Sequence, residues 1–196
     1  GYAHFADRYQ DQELADACLN LVDQLRARPL PEDKKADPGL YRGATGRAFA
    51  YLRAYHLCKD RDLLEAAAEA IRHDLTRLDW EPESTAPLYE LRTQARWLLP
   101  VLQSSGTGIA LVIEQLLRHY EAPDLAAARD LVAEVLKQEY ITLSGLLQGR
   151  SGVMLTLHTL GMPADDPVMR RHLKALSWMV LPHGDGIGFL GDGVLR

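Results

Sequence analysis

Apolar residues recur along this chain three and four apart, the spacing of helices, and two kinds of helix take turns. In the amphipathic kind, Leu14, Ala17, Cys18, Leu21, Val22 and Leu25 share a face. So do Leu64, Ala67, Ala68, Ile71, Leu75 and Leu78, and later Leu125, Ala128, Leu131, Val132, Val135 and Leu136. Asp, Glu, Arg and Lys fill the opposite faces, so each of these helices is predicted to bury one stripe and show the other to water. The second kind is apolar nearly all round: Ala48–Leu52, Ile109–Ile113 and Val153–Leu157. Such short segments must be covered on most sides. They read as inner helices and the amphipathic ones as outer, an order that predicts an all-α ring of helical hairpins. No convincing alternation at period two is present. Residues 28–42 and 79–105 hold Pro29, Pro31, Pro38, Pro82, Pro87 and Pro100 and read as loops over one end of the ring, where loops tend to carry function.

An internal repeat opens each inner helix. Gly39–Gly46, Val101–Gly108 and Gly145–Gly152 each end in a small residue, two spacers and a glycine, followed at once by an apolar segment. The small position is Gly43, Ser105 or Gly149, and the closing glycine is Gly46, Gly108 or Gly152; Gly106 lies between in the second copy. Small residues let a helix start approach its neighbours closely. The unpaired N–H groups of each first turn are then expected to face one end of the ring, a positive site for a thiolate, a carboxylate or a developing enolate. Tight packing alone accounts for any single glycine equally well.

Composition narrows the class. The chain has 196 residues, 47% of them hydrophobic and 25% charged, with a net charge of −5. It is long enough to bury a core without disulfides. Only Cys18 and Cys58 are present, which excludes a disulfide scaffold and fits a reducing, cytoplasmic setting; both read as small packing residues. An acidic balance with scattered Lys and Arg argues against nucleic acid. No apolar run approaches the roughly 20 residues of a membrane span, and no signal-peptide pattern opens the chain.

The repeats resemble the lanthionine synthetase cyclase (LanC-like) family, most closely the cyclase domain of class III lanthipeptide synthetases. Gly39–Tyr55, Arg96–Ile113, Gly145–Leu157 and the loop Leu181–Arg196 carry the resemblance. It implies an α/α toroid, here an incomplete arc: residues 1–196 as part of a cyclase domain truncated at both ends, the lyase and kinase domains absent. Tyr2–Phe5 reads as the tail of an inner helix, and the open edges are expected to lie within a larger enzyme or under another chain, a homo-oligomer included. Zinc-dependent members hold their metal at places that match Gln103, Leu147 and Gln148. These are not zinc ligands, so no cofactor is predicted. The family's catalytic His position matches Arg42.

The reaction the resemblance implies is zinc-independent Michael addition of a peptide Cys thiolate to dehydroalanine or dehydrobutyrine, giving lanthionine or, with a further carbon–carbon bond, labionin. The partner would be a precursor peptide with dehydrated Ser/Thr and free Cys. Arg42 and Arg150, within the turns, are candidates to favour the thiolate, whose ordinary pKa is about 8.5. Tyr41 and His183 are candidate proton donors. Arg96, Gln103, Ser104, Ser105, Gln148 and Asp185 are candidate peptide contacts. Bracing of loops is the competing role for Arg42, Arg96 and Arg150, packing beside Gly39 for Tyr41, and a plain turn position for Gln103, Ser104 and Ser105; most of the remaining histidines read as surface or cap residues. A peptide-binding module without catalysis is the alternative function. A toroid glycosidase ranks below both, because the turns carry no carboxylate pair.

Overall fold

The computed structural model describes residues 2–30, 38–77, 102–103, 105–138, 141, 143–183 and 185–189. Among these, eight helices form: α1 (Tyr2–Tyr9), α2 (Gln12–Arg26), α3 (Thr45–Cys58), α4 (Asp62–Arg77), α5 (Gly106–Leu117), α6 (Pro123–Leu136), α7 (Arg150–Thr159) and α8 (Pro167–Ser177). The described residues are all-α apart from one small hairpin.

Local chemistry sets the boundaries. Asp11 caps α2 by accepting the Leu14 N–H at 3.0 Å, and Asp166 caps α8 by accepting that of Val168 at 2.7 Å. Pro123 and Pro167 open α6 and α8, where a missing N–H costs nothing. Gly161, at φ 96°, lies just past the end of α7, a backbone setting that suits glycine.

The alternation of inner and outer helices is present in space. α1 contacts α3, α3 contacts α5, and α5 contacts α7; α2 and α4 lie against α3, α6 against α5, and α8 against α7. One core cluster runs from Val22 through Leu52, Leu64 and Ile71 to Ile113 and Leu125. A second joins Ala110, Val132 and Leu136 to Val153, Leu157 and Met169. Four inner helices in sequence, each backed by an outer one, are the arrangement that the two hydrophobic patterns predict.

Some details differ from the sequence pattern. Leu21 and Ala17 of α2 are exposed although they share the apolar stripe, as is Leu155 of the inner helix α7. Cys58 is exposed at the end of α3, so it is no packing residue, and its thiol donates to the Ala54 carbonyl at 3.4 Å. The chain also forms an antiparallel hairpin, β1 (Val180–His183) with β2 (Gly186–Phe189), in which Val180 pairs with Phe189 and His183 with Gly186. Two four-residue strands need only a tight turn and backbone bonds, so alternation at period two is a poor guide to them. No helix of the described residues is long and apolar enough to cross a membrane.

Candidate functional site

The three glycine-rich turns lie side by side. The Tyr41 N–H donates to the Gln103 carbonyl at 2.9 Å, and the Gln103 N–H donates to the Leu147 carbonyl at 3.2 Å. Tyr41, Gln103 and Leu147 hold equivalent places in the repeat, so the bonds form an in-register ladder from turn to turn. The starts of α3, α5 and α7 are thereby gathered on one side of the helix layer.

The closing glycines make that ladder possible. A Cβ at Gly46 would stand 2.5 Å from the Leu40 carbonyl oxygen, six residues back in the chain. The equivalent clash at Gly108 is with the Leu102 oxygen, and at Gly152 with the Leu146 oxygen, both closer still. The same glycines receive the neighbouring turn: a Cβ at Gly108 would lie 3.0 Å from the Leu40 Cβ, and one at Gly152 3.3 Å from the Leu102 Cβ. Each turn's leucine therefore seats against the next turn's glycine. Ser105, at the small position of turn 2, is buried and caps α5 by accepting the Thr107 N–H at 3.4 Å. Gly106 and Gly108 are buried at the start of α5.

A carboxylate from an outer helix holds the first turn. Asp74 of α4 is fully buried. Its Oδ2 accepts the Gly39 N–H at 2.9 Å, the Thr45 N–H at 2.8 Å and the Thr45 hydroxyl at 2.8 Å, and its Oδ1 accepts the Ala44 N–H at 2.9 Å. A Cβ at Gly43 would run into this carboxylate. The signal was present in the chain: Asp74 falls three residues after Ile71, on the apolar stripe of α4, where a charge is out of pattern.

The expected unpaired N–H groups are not present at α3 and α7. At α3 the Ala44 and Thr45 N–H groups go to Asp74, and those of Gly46 and Arg47 to the Gly43 and Ala44 carbonyls. At α7 the Arg150 and Ser151 N–H groups go to the Leu143 and Ser144 carbonyls, and that of Gly152 to Gly149. Buried donors must be satisfied, and here a carboxylate of α4 does so at α3 and nearby carbonyls do so at α7.

The candidate side chains divide between locations. Tyr41 and Arg42 are exposed on turn 1, Tyr41 at 65%. Gln103 on turn 2 and Gln148 on turn 3 are half-buried. Leu147, at 38% exposure, is joined to Gln103 through the backbone ladder. Arg150 is placed otherwise: it is 3% exposed, with Nη1 2.8 Å from His172 Nδ1 and Nη2 donating to the Ile141 carbonyl at 2.7 Å. This is the bracing role, because the guanidinium is spent on α8 and the Ile141 backbone. His172 is itself 1% exposed, which corrects its reading as a surface or cap histidine. His183 lies on β1 and Asp185, exposed, at the hairpin turn, an element separate from the three turns. Gly43 and Gly149 complete turns 1 and 3; Arg96 and Ser104 lie outside the described residues.

Gln103, Leu147 and Gln148 offer two amides and an alkyl chain. That donor set does not fit zinc, which takes thiolate, imidazole or carboxylate. The described residues contain no group of three or more His, Cys, Asp or Glu side chains able to hold a metal ion.

A depression of about 430 Å³ lies at the far end of α5 from the turns, lined by Arg61, Leu117, His119, Tyr120, Glu121 and Pro123. Nearby, the Tyr55, His56 and His119 rings cluster with centroids 5.1–6.0 Å apart. Burial, followed by the adjacent His119, holds the His56 pKa below its ordinary value. This end carries none of the repeat residues.

No protein-family model matches the chain. It is similar to the "Probable SapB synthase" of Streptomyces coelicolor, with 30% identity over 166 residues, which cover 83% of this chain and 17% of that protein. The chain thus corresponds to a small part of the length of the relative it matches.

Proposed function

We infer that this chain is a section of the cyclase part of a lanthipeptide synthetase and serves zinc-independent thioether ring formation on a dehydrated precursor peptide. The similarity to a SapB synthase over most of the chain carries the reading. The gathered glycine-rich turns and the alternating helix layers agree with an α/α toroid. On this reading the kinase and lyase work belongs to other parts of the synthetase.

The chemistry is an addition. A peptide Cys loses its proton, its sulfur bonds to the β-carbon of a dehydroamino acid, the π pair moves to the α-carbon and carbonyl as an enolate, and a proton returns to the α-carbon. For labionin, the enolate instead attacks a second dehydroalanine. Arg42 supplies a cation on turn 1, and a nearby cation favours the thiolate and the enolate. Tyr41 offers a phenol for the returning proton, and the Gln103 and Gln148 amides suit peptide backbone. Asp74 already neutralises the start of α3.

That neutralisation, with the paired N–H groups of α3 and α7, favours a second reading: a module that holds the peptide for the other activities and accelerates little. The dehydrated precursor, incubated with the complete synthetase and with an Arg42→Ala variant, separates them. Each ring consumes one thiol that iodoacetamide would otherwise label. Loss of label faster than in buffer, slowed in the variant, supports the cyclase; binding with no loss of label supports the module.

A further inference from the structure

Asp74 belongs to an outer helix, yet its four hydrogen bonds all end on the first turn. At turns 2 and 3 nearby residues take N–H groups of the helix starts: Ser105 accepts that of Thr107, and the Leu143 and Ser144 carbonyls accept those of Arg150 and Ser151. Turn 1 is different. Its N-cap, Ala44, has no side-chain oxygen to offer. Capping is supplied instead from 29 to 35 residues further along the chain, by a carboxylate with no exposed surface. A buried carboxylate is tolerated only where donors replace its water, and three backbone N–H groups and a hydroxyl do so here.

The donors bracket one short segment. Gly39 lies before Tyr41 and Arg42; Ala44 and Thr45 lie after them. We propose that Asp74 is a positioning residue for peptide cyclisation: it clamps both ends of residues 39–45 and so fixes the turn that carries Tyr41 and Arg42 against the Gln103 and Leu147 rungs of the ladder. The proposal rests on the cyclase reading of the chain. Gly43 is the counterpart of the clamp, because only a residue without a Cβ leaves room for the carboxylate. The turn with the exposed phenol and guanidinium is thus the one anchored by a charge from a neighbouring helix.

Asp74→Asn keeps the shape but turns an NH2 toward backbone donors. Thr45→Val removes a single bond and serves as the milder variant. In the complete synthetase without peptide, hydrogen exchange at the Tyr41 amide is expected to rise roughly tenfold in Asp74→Asn and less in Thr45→Val, while the Gln103 amide, one rung further, keeps its protection. Unchanged exchange at Tyr41 overturns the clamp whatever the activity. With dehydrated precursor, the ring-closure kcat is expected to fall roughly tenfold in Asp74→Asn but less than about twofold further when Arg42→Ala is already present. Equal losses in both backgrounds reduce Asp74 to a structural part and overturn its role in the reaction. Failure of the unaltered synthetase to close rings refutes the cyclase reading and, with it, this role; the exchange measurement then still reports on the clamp alone.

Discussion

Arg150 Nη1 donates to His172 Nδ1 at 2.8 Å, and His172 Nε2 lies 3.0 Å from the Leu136 carbonyl. Arginine has no acceptor, so Nδ1 must accept and Nε2 must carry the proton to Leu136. The imidazole thus ties α7, α8 and the end of α6 together in its neutral form. His172→Ala removes an acceptor from a buried guanidinium and is expected to cost about 2–4 kcal/mol in urea unfolding. The Arg150→Met, His172→Leu pair should be less damaging than His172→Ala alone, because no buried charge is then stranded.

The turn glycines are not equivalent. Gly108→Ala would press a methyl into the Leu102 carbonyl and the Leu40 side chain, and is expected to cost about 3 kcal/mol or more. Gly145→Ala meets nothing within 4 Å and should be neutral to within about 0.5 kcal/mol. Thermal unfolding of the two variants checks the contrast; equal effects would show that turn packing is not what the closing glycine serves.

His56 supplies a pH dependence. Burial and His119 lower its pKa in the folded chain, so the unfolded chain binds the proton more readily. The associated stability is in place above the ordinary histidine pKa of about 6.5 and is lost as the pH falls through the lower folded value. Lys59 and Arg53 act in the same direction as His119, and Asp7 opposes them. An NMR titration should place His56 below its value in the urea-unfolded chain. His119→Gln should move it upward without restoring it fully, since burial is the larger cause.

Arg72 of α4 and Asp124 of α6 pair in a two-pronged contact, Nε to Oδ2 at 2.6 Å and Nη2 to Oδ1 at 3.0 Å. The guanidinium lowers the Asp124 pKa, so this contribution is present above the ordinary carboxylate range and is lost as the pH falls through the lowered value. Both side chains are more than two-fifths exposed (42% and 47%), so solvent screening limits the pair to under about 1 kcal/mol. A double-mutant cycle with Arg72→Ala and Asp124→Asn should show that coupling shrinking as salt is raised.

The features legible in the chain are those written in backbone geometry. Gly46, Gly108 and Gly152 recur because a carbonyl six residues back leaves no room for a Cβ, and that constraint shows as a repeat. The inner and outer helices were legible because burial on all sides and burial on one side give different patterns. Side-chain direction was not. Arg150 follows a turn glycine in sequence, yet its guanidinium runs to a histidine on the next helix. The pairing of the first-turn N–H groups was hidden for the same reason: at α3 the acceptor comes from Asp74, far along the chain. Asp74 and His172 were still marked, each as a polar residue inside a stripe of apolar ones, a signal of fixed buried contacts.

The Tyr41–Gln103–Leu147 ladder joins points that are unevenly spaced along the polypeptide, with a much longer stretch before Gln103 than after it. Length between the rungs is therefore free to vary, while within a turn the count from leucine to closing glycine is fixed by contact. Insertions between one turn and the next can reshape the periphery and leave the rungs in register, whereas one extra residue inside a turn would break a rung and unseat its neighbour.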